Sequence, residues 1–155
     1  MQHFEPDTID RAILRELMRD GRLTNAELAE RVHLSPSACL RRVRLMEEAE
    51  YISGYVMLLN PLRAGLRGVA FVLVTLDQQG RAALDAFETA AARCPEILEV
   101  YLLAGSADYM VRVVYRDSTD FERIHTEILT QLPGVSRLQT TLALRTVKKT
   151  TVLPL

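Results

Sequence analysis

The sequence predicts an α+β chain in two parts, three short helices followed by a βαββαβ unit. Three observations carry this. Apolar residues recur at helical spacing, with a capping signal at each start, through the first 50 residues. A run of β-branched and aliphatic residues, Val69–Leu76, opens a different texture in the second half. Between the two, Asn60-Pro61 and Ala64-Gly65 punctuate the chain and place a boundary there, giving domains 1–60 and 61–155.

The first helix is expected over residues 7–20, with Ile9, Ile13, Leu14, Leu17 and Met18 on one face. Asp7 is its cap, and Gly21 supplies the left-handed residue that ends it. The second begins at Thr24, where Thr24-Asn-Ala-Glu27 is a capping box, with Leu28, Ala29 and Val32 behind it. His33-Leu34 turns the chain. Ser35 caps the third helix and Pro36 takes its first position, where a missing N–H costs nothing; the helix extends to about Ala49. Tyr51–Leu59 is expected to be a strand. In the second half, strands are expected at Val69–Leu76, Ile97–Leu103, Tyr109–Val114 and Val135–Val147. A helix from Gly80 to about Arg93 and another over Ser118–Leu132 intervene. This order is that of the ferredoxin-like split unit.

Net charge is −1 over 155 residues, so any affinity for a polyanion must be local. It is local. Between Arg31 and Met46 stand four arginines and no acid, while Asp7, Asp10, Glu16, Asp20, Glu27 and Glu30 fall on the first two helices. Advancing 100° per residue from Pro36 puts Cys39, Val43 and Met46 on one arc and Ser37, Arg41 and Arg44 on the opposite one. A capped helix, a short turn and a second helix with a basic outer face form the helix-turn-helix layout of a major-groove reader. Ser37 and Arg41 are outward near the helix start, where base edges are reached. Ser35 and Ala38 stand with them in the first turn. Arg44 is one turn further on and suits phosphate. Leu40, at the edge of the arc, either touches a thymine methyl or rests on the domain. Arg42, on the flank, either pairs with an acid of the first helix or meets phosphate. Thr24 and Asn25 offer hydroxyl, amide and backbone N–H donors to phosphate.

These motifs resemble the Lrp/AsnC family of leucine- and asparagine-responsive regulators. The resemblance rests on Asp7-Thr-Ile-Asp10, Ile13-Leu14, Asp20-Gly21-Arg22, Leu28-Ala29-Glu30-Arg31-Val32, Leu34-Ser35-Pro36-Ser37 and Arg41-Arg42-Val43. It continues through Tyr51-Ile52-Ser53-Gly54-Tyr55, Gly105-Ser-Ala-Asp108-Tyr109, Leu132-Pro133-Gly134-Val135 and Leu153-Pro154-Leu155. In two places the chain departs from the family pattern. Glu50 stands where the family usually has glycine, so the third helix is expected to end differently or run on. Ser106 stands where an acid often follows the loop glycine.

The resemblance implies a transcription regulator whose partner is double-stranded DNA, with the second domain forming homodimers that assemble further, to an octamer. It also implies an amino-acid effector bound between dimers, at the C-terminal domain interface near the Gly105–Tyr109 loop. An amino acid needs an anion for its ammonium, which Asp108 offers, and donors for its carboxylate, which the Gly105 and Ser106 backbone and the Thr140 and Thr141 hydroxyls offer. Tyr109 completes this candidate set. Leu142, Leu144 and the Val69–Leu76 run present more apolar surface than two helices cover, in keeping with an interface. The alternative is an architectural protein that bridges DNA without an effector.

His3, His33 and His125 lack partners at catalytic spacing, and no glycine-rich phosphate loop or metal motif occurs. Neither catalysis nor a cofactor is expected. Cys39 and Cys94 are far apart and expected to be free thiols. No apolar run reaches the ~18–20 residues of a membrane span, and the N-terminus lacks a signal peptide's basic start, so no membrane partner and a cytoplasmic location are expected.

Overall fold

The computed structural model describes residues 4–155; His3 lies outside them. Three helices come first, α1 (Thr8–Arg19), α2 (Asn25–Arg31) and α3 (Pro36–Glu48). Then follow β1 (Gly68–Leu76), α4 (Arg81–Ala91), β2 (Ile97–Leu102), β3 (Tyr109–Tyr115), α5 (Ser118–Arg123) and β4 (Val135–Leu142). The chain divides into two compact units: one runs to Leu58 and includes Val147–Leu155, the other is Leu59–Thr146.

In the first unit each helix starts where its cap dictates. The Asp7 carboxylate accepts the N–H groups of Ile9 and Asp10, both at 2.8 Å, and the Asp10 carboxylate accepts the Asp7 N–H at 3.1 Å. Thr24 and Glu27 make the same reciprocal box at α2, and Ser35 Oγ accepts the Ala38 N–H at α3. The helices bury Ile13, Leu14, Leu28, Ala29, Cys39 and Met46 against one another. His33, at φ 55°, makes the left-handed turn out of α2, and the Leu34 N–H returns to the Ala29 carbonyl at 2.9 Å.

Glu50 does not prolong α3. It adopts φ 55° itself, and the Tyr51 and Ile52 N–H groups close on the Met46 carbonyl at 2.9 and 3.1 Å. The helix ends with the glycine-type geometry but without the glycine.

Three expectations for secondary structure are corrected. Tyr51–Leu59 is not a strand. Among the described residues no strand pairs with it, and Val56, Met57, Leu58 and Leu59 are 84, 79, 69 and 68 % exposed. β4 stops at Leu142 rather than Val147, because it pairs only with β1. That ladder ends at Ala70↔Leu142, close to where β1 begins. The helix expected over Ser118–Leu132 is α-helical only to Arg123, then passes through a π turn at Ile124–Ile128 and a 3₁₀ turn at Leu129–Gln131. The Thr126 and Thr130 hydroxyls donate to the Glu122 and Thr126 carbonyls, each at 2.7 Å, and compete with the regular ladder.

The second unit is one antiparallel sheet in the order β2-β3-β1-β4. Because side chains alternate along a strand, Ala70, Val72, Val74 and Leu76 of β1 and Tyr109, Val111 and Val113 of β3 share one face. They form the core with Phe87 and Ala91 of α4 and with Ile124, Leu129 and Leu132. Val69, Phe71, Leu73, Met110 and Val114 alternate onto the other face, which no helix of this unit covers. Both faces of β1 are apolar, and for that reason its sequence reads as a continuous hydrophobic run.

Candidate nucleic-acid interface and effector loop

The helix α3 sorts its cations by partner. Arg42 reaches across to the N-terminus of α1, where one guanidinium nitrogen lies 2.8 Å from both Asp7 Oδ2 and Asp10 Oδ1. Asp10 is 5 % exposed, so its half of this clamp between helices is largely desolvated, while the Asp7 side chain remains half exposed. The Asp7 carboxyl is held below its ordinary range, first by the Asp10 backbone N–H and then by Arg42. Arg31, at the end of α2, pairs with Glu16 of α1 at 3.0 Å. Arg41 and Arg44 are exposed and make no ion pair among the described residues. Of the four arginines between Arg31 and Met46, two fasten the helices and two face outward.

Ser37, Leu40, Arg41, Arg44, Leu45 and Glu48 line a shallow groove of about 270 Å³ along that outer face. Leu40 is 38 % exposed within it. Ser37 Oγ lies 3.2 Å from Ser35 Oγ, so the two hydroxyls share one hydrogen bond at the helix start beside the half-buried Ala38. The Asn25 amide donates to the Pro36 carbonyl at 2.8 Å, which ties the start of α2 to the start of α3. Thr24 Oγ1 is engaged with Glu27 at 2.7 Å.

Of the residues expected at the groove, Ser37, Leu40, Arg41 and Arg44 line it; Ser35 adjoins it through the hydrogen bond to Ser37, Ala38 is not in the lining, and Asn25 is clasped to the start of α3. Arg42 does not belong to the groove. Its charge is consumed by α1, the structural alternative of the two that its flank position allowed. The Asn25 clasp and the Arg31–Glu16 pair have no sequence signal beyond the acids scattered on the first helix.

The second candidate set is less united. Gly105 and Ser106 are exposed in the β2–β3 turn. Asp108 fastens that turn to the end of β1: Oδ2 accepts the Leu76 N–H at 2.7 Å and Oδ1 accepts from Gln79 Nε2 at 2.8 Å. Its own N–H donates to the Val74 carbonyl at 2.9 Å. Tyr109 points to the helix face and is 1 % exposed. Its ring packs on Phe87 at 4.5 Å between centroids and its hydroxyl donates to Glu88 at 2.8 Å. Burial, then Glu88, push the phenol pKa well up, which keeps it a donor.

Thr140 and Thr141 lie opposite Val72 and Phe71 and so project to opposite faces of the sheet. The loop meets β1 at Val74–Leu76, two to five residues or about 7–17 Å further along that strand. Within one chain, then, Gly105, Ser106 and Asp108 are together and the two threonines stand apart from them. Sequence reading missed a concavity of about 330 Å³ beside the loop, lined by Glu88, Ala92, Val100, Leu102 and Tyr109.

Comparison with known proteins places both units. Residues 69–153 match the family model described as the Lrp/AsnC ligand binding domain, and residues 6–53 match a winged helix-turn-helix DNA-binding model. The chain is 44 % identical over 144 residues to the leucine-responsive regulatory protein of Rhizobium meliloti, covering 93 % of this chain and 92 % of that one. Among solved structures, a transcriptional regulator of Neisseria meningitidis in complex with L-Met superposes with a TM-score of 0.92 at 36 % identity, covering 97 % of both chains. An AsnC family regulator of Agrobacterium tumefaciens has the same score at 32 % identity, over 96 % of this chain and 97 % of that one.

Proposed function

Because this chain belongs to the Lrp/AsnC family of DNA-binding transcriptional regulators, we propose how its residues divide that work. Residues 1–60 read DNA, and residues 61–155 assemble the protein and sense an amino acid. The observation that carries the reading is the sorting of cations on α3. Arg31 and Arg42 are spent on acids of α1, whereas Arg41 and Arg44 are left facing outward.

In this reading α3 lies in the major groove. Ser37 and Arg41 contact base edges, with Ser35, Ala38 and Leu40 in van der Waals or hydroxyl contact beside them. Arg44, Thr24 and Asn25 hold phosphates. Arg42 acts from behind by fixing α3 against α1. The test is quantitative binding to a duplex from the protein's own promoter region across a salt series. Arg41→Ala is expected to cost about 1–3 kcal/mol and relax sequence preference, and Arg44→Ala to flatten the salt dependence by about 1. Equal, sequence-independent losses from both overturn the assignment of roles.

The effector is a free α-amino acid, as in the L-Met complex of the Neisseria regulator. Asp108 receives the ammonium with the lone pairs left after Leu76 and Gln79 are satisfied, and the exposed Gly105-Ser106 backbone receives the carboxylate. Thr140, Thr141 and Tyr109 complete the site only if a second copy brings its sheet to the loop, which ties sensing to assembly. The apolar face of Val69, Phe71 and Leu73 and the exposed Val56–Leu59 segment supply the surfaces for a dimer and for its further association to an octamer. A thermal-shift screen of the common amino acids, paired with sedimentation of the same samples, tests this. Stabilisation by one amino acid together with a shift in assembly supports it; intact DNA binding with no response to any of them favours an effector-independent bridging protein.

A further inference from the structure

We infer that Lys148 and Lys149, in the segment after β4, are DNA-phosphate contacts of the N-terminal unit. The inference rests on the DNA-binding reading above and adds a contact outside the helix-turn-helix.

Charge is the first ground. Through Leu58 the chain carries eight arginines against ten acids, a surplus of two negative charges on the body that must approach a polyanion. Two of its four cations near the groove, Arg31 and Arg42, are committed to α1, as described above. The segment Val147–Leu155 carries two lysines and no acid, and it clusters with this same unit. Its two charges offset the surplus.

Anchoring is the second. The Leu153 N–H donates to Met18 Sδ of α1 at 3.3 Å. Val152, Leu153 and Leu155 are 40, 64 and 41 % exposed, against 84 % for Val147, so the segment is less exposed around its bond to the helix than at its start. Local turns shape it: the Val152 N–H donates to Thr150 Oγ1 at 3.1 Å and the Leu155 N–H to the Leu153 carbonyl at 3.0 Å. Met18 precedes by one turn the Gly21-Arg22 corner that leads into Thr24 and Asn25. Lys149 is four residues from the anchor, a span of at most about 14 Å.

Availability is the third. Lys148 and Lys149 are exposed, and among the described residues neither makes an ion pair. They are also the only lysines in the chain; the other 17 of its 19 basic residues are arginine. A flexible ammonium is a point charge for phosphate rather than a fork for bases, so the contact is expected to be independent of sequence.

The probe is therefore a fluorescent mixed-sequence duplex, titrated with the full-length protein over a salt series. Lys148→Ala/Lys149→Ala is expected to lower the slope of log K against log salt by about 1.8 per N-terminal unit. Melting temperature and sedimentation are expected to stay unchanged, and Lys148→Arg/Lys149→Arg to restore the slope. An unchanged slope in the alanine pair overturns the proposal. Arg41→Ala/Arg44→Ala, run alongside, separates the two readings: its own loss of binding with the lysine pair unaffected leaves the helix-turn-helix interface standing and removes the tail. Amine acylation followed by mass spectrometry gives a second readout, because these two side chains are the only lysine targets. Acylation several-fold slower in the presence of DNA is expected, and equal rates with and without it overturn the contact.

Discussion

Glu50→Gly isolates the one position where this chain ends α3 against its own backbone preference. Glu50 sits at φ 55°, where a Cβ costs about 1–2 kcal/mol relative to the right-handed region. Glycine escapes that cost but loses about 0.5–1 kcal/mol through its greater freedom in the unfolded chain. The substitution also removes a carboxylate from the negative end of the helix, where Glu47 and Glu48 already stand, and this contributes about 0.3 kcal/mol. Among the described residues the exposed Glu50 side chain makes no hydrogen bond or ion pair that opposes these gains. The net expectation is a stabilisation of the N-terminal unit by about 1 kcal/mol. Native-state hydrogen exchange of the protected α3 amides measures it, and about five-fold slower exchange is expected. Glu50→Ala removes the same charge but keeps the Cβ, and is expected to gain only about 0.3 kcal/mol. If alanine stabilises as much as glycine, or if glycine leaves exchange unchanged, the backbone argument is refuted.

Arg42→Met removes the clamp and leaves the buried Asp10 carboxylate with only the Asp7 N–H. The N-terminal unit should lose about 2 kcal/mol in urea unfolding, and DNA binding should weaken in proportion to the unfolded fraction rather than through the salt slope. The Asp7 carboxyl has a lowered pKa in the folded state, so its contribution to stability is complete above its unfolded value and is lost as pH falls through the folded one. Melting of the N-terminal unit should accordingly fall below about pH 4, and fall less steeply in Asp7→Asn. At Gly68 an added Cβ would overlap the Tyr115 ring, so Gly68→Ala should destabilise the second unit by about 1–3 kcal/mol. Tyr115→Ala in the same chain should recover part of that loss, read as a double-mutant cycle.

What the sequence made legible, and what it hid, divides by whether the information is local. Asp7, Thr24 and Ser35 announce their helices because a cap acts within three residues of itself. The strand order of the second unit follows from hydrophobic texture and from turn residues such as Pro133-Gly134. Tyr51–Leu59 has strand composition yet is unpaired here, since a strand depends on a partner that its own residues do not specify. The interruption after Arg123 arises from threonine hydroxyls that compete with the backbone, which hydrophobic periodicity does not register. At the interface, helical geometry alone placed Arg41 and Arg44 outward. Whether Arg42 belonged with them depended on Asp7 and Asp10, more than 30 residues away. Thr140 and Thr141 were grouped with the Asp108 loop on chemistry, and the register of β4 on β1 then set them apart.

The division of cations also explains why a reader of this kind needs company. Two outward arginines on one helix release at most about two counterions, even if Arg41 screens phosphate while reading a base, which gives a salt slope no steeper than about −1.8 and an affinity little above that of any small basic surface. If the two tail lysines also meet phosphate, four cations per unit double that slope; a dimer built through the second domain, as proposed, would double it again, to about −7. The first doubling adds affinity without adding a base contact, and the second brings the base contacts of a second α3 with it. Because joined units bind as one, the effective concentration of the second is set by the geometry of the assembly. An amino acid that altered how two sheets meet near Asp108 would then change DNA affinity without touching α3. The acids of α1 belong to the same logic. By consuming Arg31 and Arg42 they lower the charge the isolated unit offers to DNA, so that in the proposed assembly occupancy would follow oligomerisation rather than the bare helix-turn-helix.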